Sequence, residues 1–413
     1  MLNDNTVPAP NTAGGFGTLQ VSTFLNSIGR PAEGAMVSIS DSYTNTLIEE
    51  VNTNSAGNIP PIILSTPPLE YSMNYDMPRP FNEYNVKVNF PDYTEANINN
   101  VQLFPSATAV QDVILKPVFE YIDIPYPTLW GDFPPKIPES EVKILPFPSN
   151  LVVLPQPVVP ELIVVHSGVP DDTSAPNYTV GFKDYIKNVA SSEIYATWPR
   201  ETLKANIHAM LSFTLSRVFT EWYRGKGYDF TITNSTAYDQ AFTFGRNIYT
   251  EISSVVDEIF TTYVTRPDIR QPLFTQYVDG RRVTREGWLS QWGSKDLGDQ
   301  GYTSLQILKN YYGYDIILKE AEKVEGIPIS FPGEVLKIGS RGESVRTIQE
   351  QLNAISNNYP LIPKVIEDGV YGESTANSVR VFQEIFKLPI NGEVNFPTWY
   401  KISDVYVAVK KLA

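Results

Sequence analysis

Asp184-Tyr-Ile-Lys-Asn-Val-Ala-Ser-Ser-Glu193-Ile194 is the stretch on which the reading of this chain turns. At helical spacing, positions 186, 189, 190 and 193 share one face, and three of the four are Ile186, Val189 and Ala190. The fourth is Glu193. A carboxyl on a face that should enter a core is costly unless it is paired or its pKa rises. Two readings follow: a buried acid that serves as a chemical tool, or a fraying helix end where Glu193 reaches solvent before Trp198-Pro199 opens the next element.

Downstream, Thr197-Trp-Pro199-Arg-Glu predicts a helix start, with Thr197 as cap and Pro199 in the first turn. Leu203, Ile207, Met210, Leu211, Thr214, Leu215, Val218 and Trp222 then hold one broad apolar face. His208 lies one step off that stripe and reads as a boundary residue with a satisfied ring. Two polar stretches between helices, Thr233 to Phe242 and Gly287 to Gly293, are where a pocket would open.

Upstream, Leu19/Val21, Ala35/Val37/Ile39, Tyr84/Val86/Val88, Val101/Leu103 and Val113/Leu115 alternate with polar residues, with turn chemistry at Gly29-Arg-Pro and Asn54-Ser-Ala-Gly57. They predict an antiparallel β-sandwich of about seven short strands. Its acidic residues are scattered singly, as on a solvated face. Residues 117 to 160 hold eleven of the 33 prolines, so this segment is expected to run extended along a surface or between domains.

Composition narrows the function. The 413 residues carry a net charge of −14 with no basic run, which argues against nucleic acid and anionic membrane surfaces. Cysteine is absent, which excludes disulfides, a thiolate nucleophile and Cys-ligated metal. The two histidines, His166 and His208, form no local zinc motif, so no cofactor and no metal is expected. Met1-Leu-Asn-Asp-Asn-Thr-Val-Pro has neither the basic nor the apolar region of a Sec signal, and no apolar stretch is long enough to span a membrane. The net charge is −7 over residues 1–116 and zero over 331–413. With the prolines, this suggests a multidomain α+β chain: a β-sandwich domain at 1–116, a proline-rich linker at 117–161, a mixed α/β domain at 162–330 and a small helical domain at 331–413.

Four resemblances fit that division. Pro31-Ala-Glu-Gly-Ala35 through Val113-Leu115 resembles the transthyretin-like, carboxypeptidase-regulatory sandwich. Asp184-Tyr-Ile, Ser191-Ser-Glu193, Trp198-Pro, Glu201-Thr-Leu-Lys-Ala205, then Leu289-Ser-Gln-Trp-Gly293, Gly301-Tyr and Tyr311-Tyr-Gly313 resemble the stage II sporulation protein D family. That resemblance implies a lytic transglycosylase of peptidoglycan with Glu193 as the catalytic acid. The Cys/His zinc set of many members has no counterpart here, and the family's histidine-containing Gly-rich motif is reduced to Gly287-Trp-Leu-Ser290-Gln291-Trp292-Gly293. Leu336-Lys-Ile-Gly339-Ser-Arg-Gly342 through Leu352, Asp368-Gly-Val-Tyr-Gly372 through Gln383, and Gly392-Glu-Val394 with Thr398-Trp399 resemble the peptidoglycan-binding family 1 module, a three-helix unit. In that order, the parts resemble the germination-specific spore cortex-lytic enzymes of clostridia (SleC type). This resemblance implies a zymogen, with residues 1–116 as its pro-domain, cut by a subtilisin-like germination protease, made in the mother cell and deposited around the spore, with cortex peptidoglycan as substrate.

One carboxylate is enough for a lytic transglycosylase, because the muramic acid 6-hydroxyl is an internal nucleophile, whereas a hydrolytic glycosidase needs two. Tyr238, Gln240, Ser290 and Gln291 are the candidates for hydrogen bonds to the sugar. Trp292 is the candidate stacking platform, or else a core residue. A muramidase or amidase using the same pocket, and a non-catalytic peptidoglycan-binding spore protein, remain open alternatives. The extended stretch Ser149 to Leu162 is the expected activation site, with the cut falling between about residues 145 and 165.

Overall fold

The computed structural model describes residues 11–25, 31–91, 93–116, 122–143, 157–223, 226–324, 335–386, 388–395, 398–399, 401–403 and 405–406. Most of the expected activation stretch, residues 144–156, lies outside the described residues, as does most of the Gly29-Arg-Pro turn.

The N-terminal part comprises β1 (Gly15–Phe24), β2 (Met36–Asp41), β3 (Leu47–Asn52), β4 (Ile62–Thr66), a single helical turn α1 (Glu70–Met73), β5 (Asn82–Asn89), β6 (Ala96–Leu103), β7 (Thr108–Ile114) and β8 (Ile122–Asp123). One sheet runs β3-β2-β5-β6-β8, and a second includes β7-β1-β4. The alternating residues point into a common core, with Leu19, Val37, Ile39, Val86, Val88, Val101 and Leu103 all essentially buried. The sheets are not purely antiparallel as expected: β1 pairs with β7, and β6 with β8, in parallel. Alternation reports which face is buried but not strand direction, so the parallel pairs left no mark in the pattern.

The central part begins with β9 (Val158–Pro160), β10 (Leu162–His166) and β11 (Asn177–Gly181), followed by α2 (Phe182–Glu193) and α3 (Arg200–Phe219). Then come β12 (Ile232–Thr233), β13 (Ile248–Tyr249), α4 (Thr250–Ile259), β14 (Thr262–Thr265), β15 (Tyr277–Val278), β16 (Leu289–Ser290), α5 (Gln291–Asp299), α6 (Ser304–Tyr312), β17 (Ile317–Glu320) and β18 (Glu322–Val324). Helix α3 is the axis of this part. It is buried on nearly every side, so the expected one-sided stripe is in fact a core helix, and it ends at Phe219, before Trp222. Pro199, not Thr197, holds the N-cap position; Thr197 instead donates to the Ser72 hydroxyl at 2.8 Å. His208 is buried, not at a boundary. Its Nδ1 lies 3.3 Å from the Thr262 carbonyl oxygen, and burial pushes its pKa down to about 4, so the ring is neutral.

The N-terminal and central parts share one hydrophobic core, running from Leu19 to Ala321. Strand β13 joins the β7-β1-β4 sheet by antiparallel pairing with β7. Phe104 packs on Tyr195 and Tyr249 with ring centroids 5.0 and 5.5 Å apart, and the Trp198 indole donates to the Ser72 carbonyl at 3.0 Å.

Residues 122–143 form an extended strap over the central part. Prolines 125, 127, 134, 135 and 138 cannot donate hydrogen bonds, so the strap pairs mainly through side chains of the surface beneath it. Gln276 accepts from Glu139 N–H at 2.9 Å and donates to the Ile137 carbonyl at 2.7 Å; Gln271 does the same for both backbone groups of Lys143 at 3.0 Å. Glu139 receives two hydrogen bonds from the buried Arg217 guanidinium, at 2.6 and 3.0 Å.

The C-terminal part has its own core, built on α7 (Glu343–Ser356) and α8 (Glu373–Ile385). Residues 398–399, 401–403 and 405–406 are also helical. The spacing of Val345, Ile348 and Leu352 places all three inside, with Val379, Phe382 and Trp399. Two buried glutamines tie the turns: Gln349 accepts from Gly369 N–H at 2.8 Å, and Gln383 accepts from Gly392 N–H at 2.9 Å. Both glycines have φ near +70°, a backbone region that L side chains rarely adopt.

Candidate active site

Glu193 closes α2 and is 2% exposed, so the fraying reading does not hold. The helix is stopped cleanly: Ile194 turns extended while its N–H still bonds the Ala190 carbonyl at 3.0 Å, leaving the Glu193 side chain on the inward face. Oε1 accepts from the Ala241 N–H at 2.7 Å, and Oε2 is buried without a hydrogen bond of normal geometry. Burial raises the pKa of the carboxyl. Three neighbours oppose that shift: the Lys136 ammonium, the nearby Tyr277 hydroxyl and the Ala241 N–H.

Glu193 borders a cavity of about 220 Å³ whose lining includes Thr236, Tyr277, Asp279, Arg282 and Gln291 from the central part. The opposite wall is the strap, from Thr128 through Asp132-Phe133-Pro134-Pro135-Lys136. Lys136 is buried, donates to the Asp239 carbonyl, and lies 4.8 Å from the Tyr277 ring centroid and 5.2 Å from that of Phe213. Burial lowers its pKa, with the charge of Glu193 the largest opposing influence. The loop that carries Asp239 and Ala241 is fixed from below. Asp239 accepts from Arg217 at 2.7 Å, Tyr223 at 2.6 Å and the Thr233 N–H at 2.9 Å.

Of the sequence candidates, the fold brings only Gln291 to the cavity beside Glu193; its side-chain amide is 3.5 Å from the Glu193 carbonyl oxygen. Gln240 lies one layer behind. Its amide is occupied by Tyr185, Thr214, the Met210 carbonyl and the Tyr277 hydroxyl, so it orients Tyr277 and has no bond free for a sugar. Tyr238 does not line the cavity; its carbonyl accepts from Arg217 at 3.0 Å. Ser290 caps α5 by accepting from Gly293 N–H at 2.8 Å. Trp292 is 3% exposed and packed by Tyr75, Tyr195 and Trp198, the packing reading of that residue, and it borders a neighbouring cavity. Sequence reasoning missed Lys136 and Tyr277. No local pattern marks either, since their positions relative to Glu193 depend on tertiary folding.

A second carboxylate for hydrolysis is not set up at the cavity. Asp279 uses Oδ1 to hold the turn it begins, accepting from the N–H groups of Arg281 at 2.7 Å and Arg282 at 2.6 Å. Asp132 is exposed and sits 3.7 Å from Arg282. Among the described residues, no group of three or more His, Asp or Glu side chains is placed to hold a metal ion, and no helix is long and apolar enough to cross a membrane.

Comparison with known proteins places the C-terminal part: residues 341–402 match the family described as a putative peptidoglycan binding domain. No match is found among curated proteins. Among solved structures, the chain is similar to the SleB N-terminal domain at 30% identity, over 18% of this chain and 93% of that one, with a TM-score of 0.16. It is also similar to the 5-hydroxyisourate hydrolase of Klebsiella pneumoniae at 18% identity, over 26% of this chain and 91% of that one, with the same TM-score of 0.16. At that score neither likeness bears on fold or activity.

Proposed function

We propose that this chain is a latent lytic transglycosylase of spore cortex peptidoglycan, with Glu193 as its single acid and base. The observation that carries the reading is the buried carboxyl of Glu193: one oxygen is held by the Ala241 N–H, and the Tyr277 hydroxyl stands beside the group at the edge of a cavity. Once protonated, it gives its proton to the glycosidic oxygen between MurNAc and GlcNAc as the bond from muramyl C1 to that oxygen breaks. The muramyl 6-hydroxyl oxygen then bonds to C1 and returns its proton to the Glu193 carboxylate, so a 1,6-anhydro ring closes and no water is consumed. Tyr277, aligned by Gln240, is the hydroxyl beside the reacting carboxyl, and Gln291 lines the same cavity.

The peptidoglycan-binding match at residues 341–402 supports the choice of substrate. The strap supports latency. It occupies one wall of the cavity. A hydrolytic muramidase is less well supported, because Asp279 is committed to its own turn. The test is the chemistry of the ends left by the activated protein on cortex glycan, with the Glu193→Gln variant beside it. Loss of the transferable proton is expected to slow release by roughly a hundredfold to ten-thousandfold.

A further inference from the structure

We propose that a second cavity, formed jointly by the N-terminal sandwich, the strap and the central part, binds an N-acetylhexosamine unit of a glycan strand while the strap is still in place. The cavity is about 290 Å³ and adjoins the Glu193 cavity at Asp132 and Arg282, which line both. Its identity as a sugar site rests on the peptidoglycan reading above, but it does not depend on Glu193 being the acid.

Three features make it a saccharide site. First, Tyr71, Tyr75 and Trp130 line it, and Tyr75 is 37% exposed, an aromatic side chain left partly in water although its ring meets Trp292 edge-on at 5.9 Å. Sugars present apolar C–H faces that cover such rings. Second, Asn74, Asp76, Asp132 and Arg282 stand around these rings and supply both donors and acceptors, as hydroxyl groups require. Two carboxylates disfavour phosphate-bearing ligands, and the polar ring disfavours a purely apolar one. Third, the Trp292 side chain on the cavity wall is buried and its indole N–H has no acceptor. An orphaned buried donor is costly, and a small shift of the wall that brought it to an acetamido carbonyl would satisfy it.

The site is built across parts far apart in sequence. Tyr71 belongs to α1 of the sandwich and Asn74 to Pro80 follow it, Trp130 belongs to the strap, and Arg282 fixes the strap by donating to the Gly131 carbonyl at 2.6 Å and the Thr128 carbonyl at 2.5 Å. The N-terminal part is then more than a mask, since it contributes walls to a glycan site that stays open in the uncut chain.

Titration of the full-length protein with the N-acetylglucosamine tetramer, followed by calorimetry, tests this. Tyr75→Ala and Trp130→Ala are each expected to weaken one class of sites by about tenfold, the scale of a single aromatic contact. A class of sites contributed by the C-terminal module would be the same in every variant and does not enter the comparison. Absence of binding to the wild type, or binding unchanged by both aromatic substitutions, overturns the proposal. The reaction is tested separately: persistence of lysis in Glu193→Gln would overturn the chemistry and leave this site standing.

Discussion

Glu193 shows how much one residue can be read from its spacing and how much cannot. The 3.6-residue period of Ile186, Val189 and Ala190 placed it on an inward face, and it is buried there. Its electrostatic setting was not legible, because Lys136 and Tyr277 are 57 and 84 positions away in the chain. The same setting makes a stability prediction. Burial holds the folded-state pKa of Glu193 above its ordinary value, so the folded protein keeps a proton that the unfolded chain releases above a pH of about 4.3. Stability from this group is therefore complete below that pH and is lost as pH rises through the folded-state value. Urea denaturation of wild type and Glu193→Gln at pH 4 and pH 7 checks it. The variant should gain stability relative to wild type at the higher pH, whereas a pH-independent difference would mean that Glu193 is effectively solvated.

Among the elements, those with a strict apolar period were legible and those held by partners were not. The alternation in β1, β2, β5, β6 and β7 is plain, whereas β3 is exposed along nearly its whole length and offers no pattern. The prolines predict an extended segment over residues 117–160; its described part at 122–143 is largely without regular structure, and nothing in the sequence says that Gln271, Gln276 and Arg217 bind it so closely. The proposed latency requires that a strap held in this way be released before glycan reaches Glu193. Treatment of the purified protein with a germination protease should therefore give a new N-terminus between about residues 145 and 165 together with a gain in lytic activity. Full activity in the uncut chain would contradict latency.

For the whole molecule, charge and proline content suggest independent blocks, yet the sandwich and the central part share one core while the C-terminal part keeps its own. Composition records where linkers lie; it does not record which apolar faces meet across them. The separate core of the C-terminal part, with its peptidoglycan-binding match, predicts a separable anchor. Removal of residues 333–413 should reduce the fraction of protein that sediments with insoluble peptidoglycan while slow turnover of soluble glycan continues. Undiminished sedimentation would assign the anchoring elsewhere. Mass spectrometry of cortex glycan digested by the activated protein tests the proposed reaction most directly. The account predicts fragments ending in 1,6-anhydromuramic acid, almost absent with Glu193→Gln; reducing muramic ends, free stem peptides or intact glycan would contradict it.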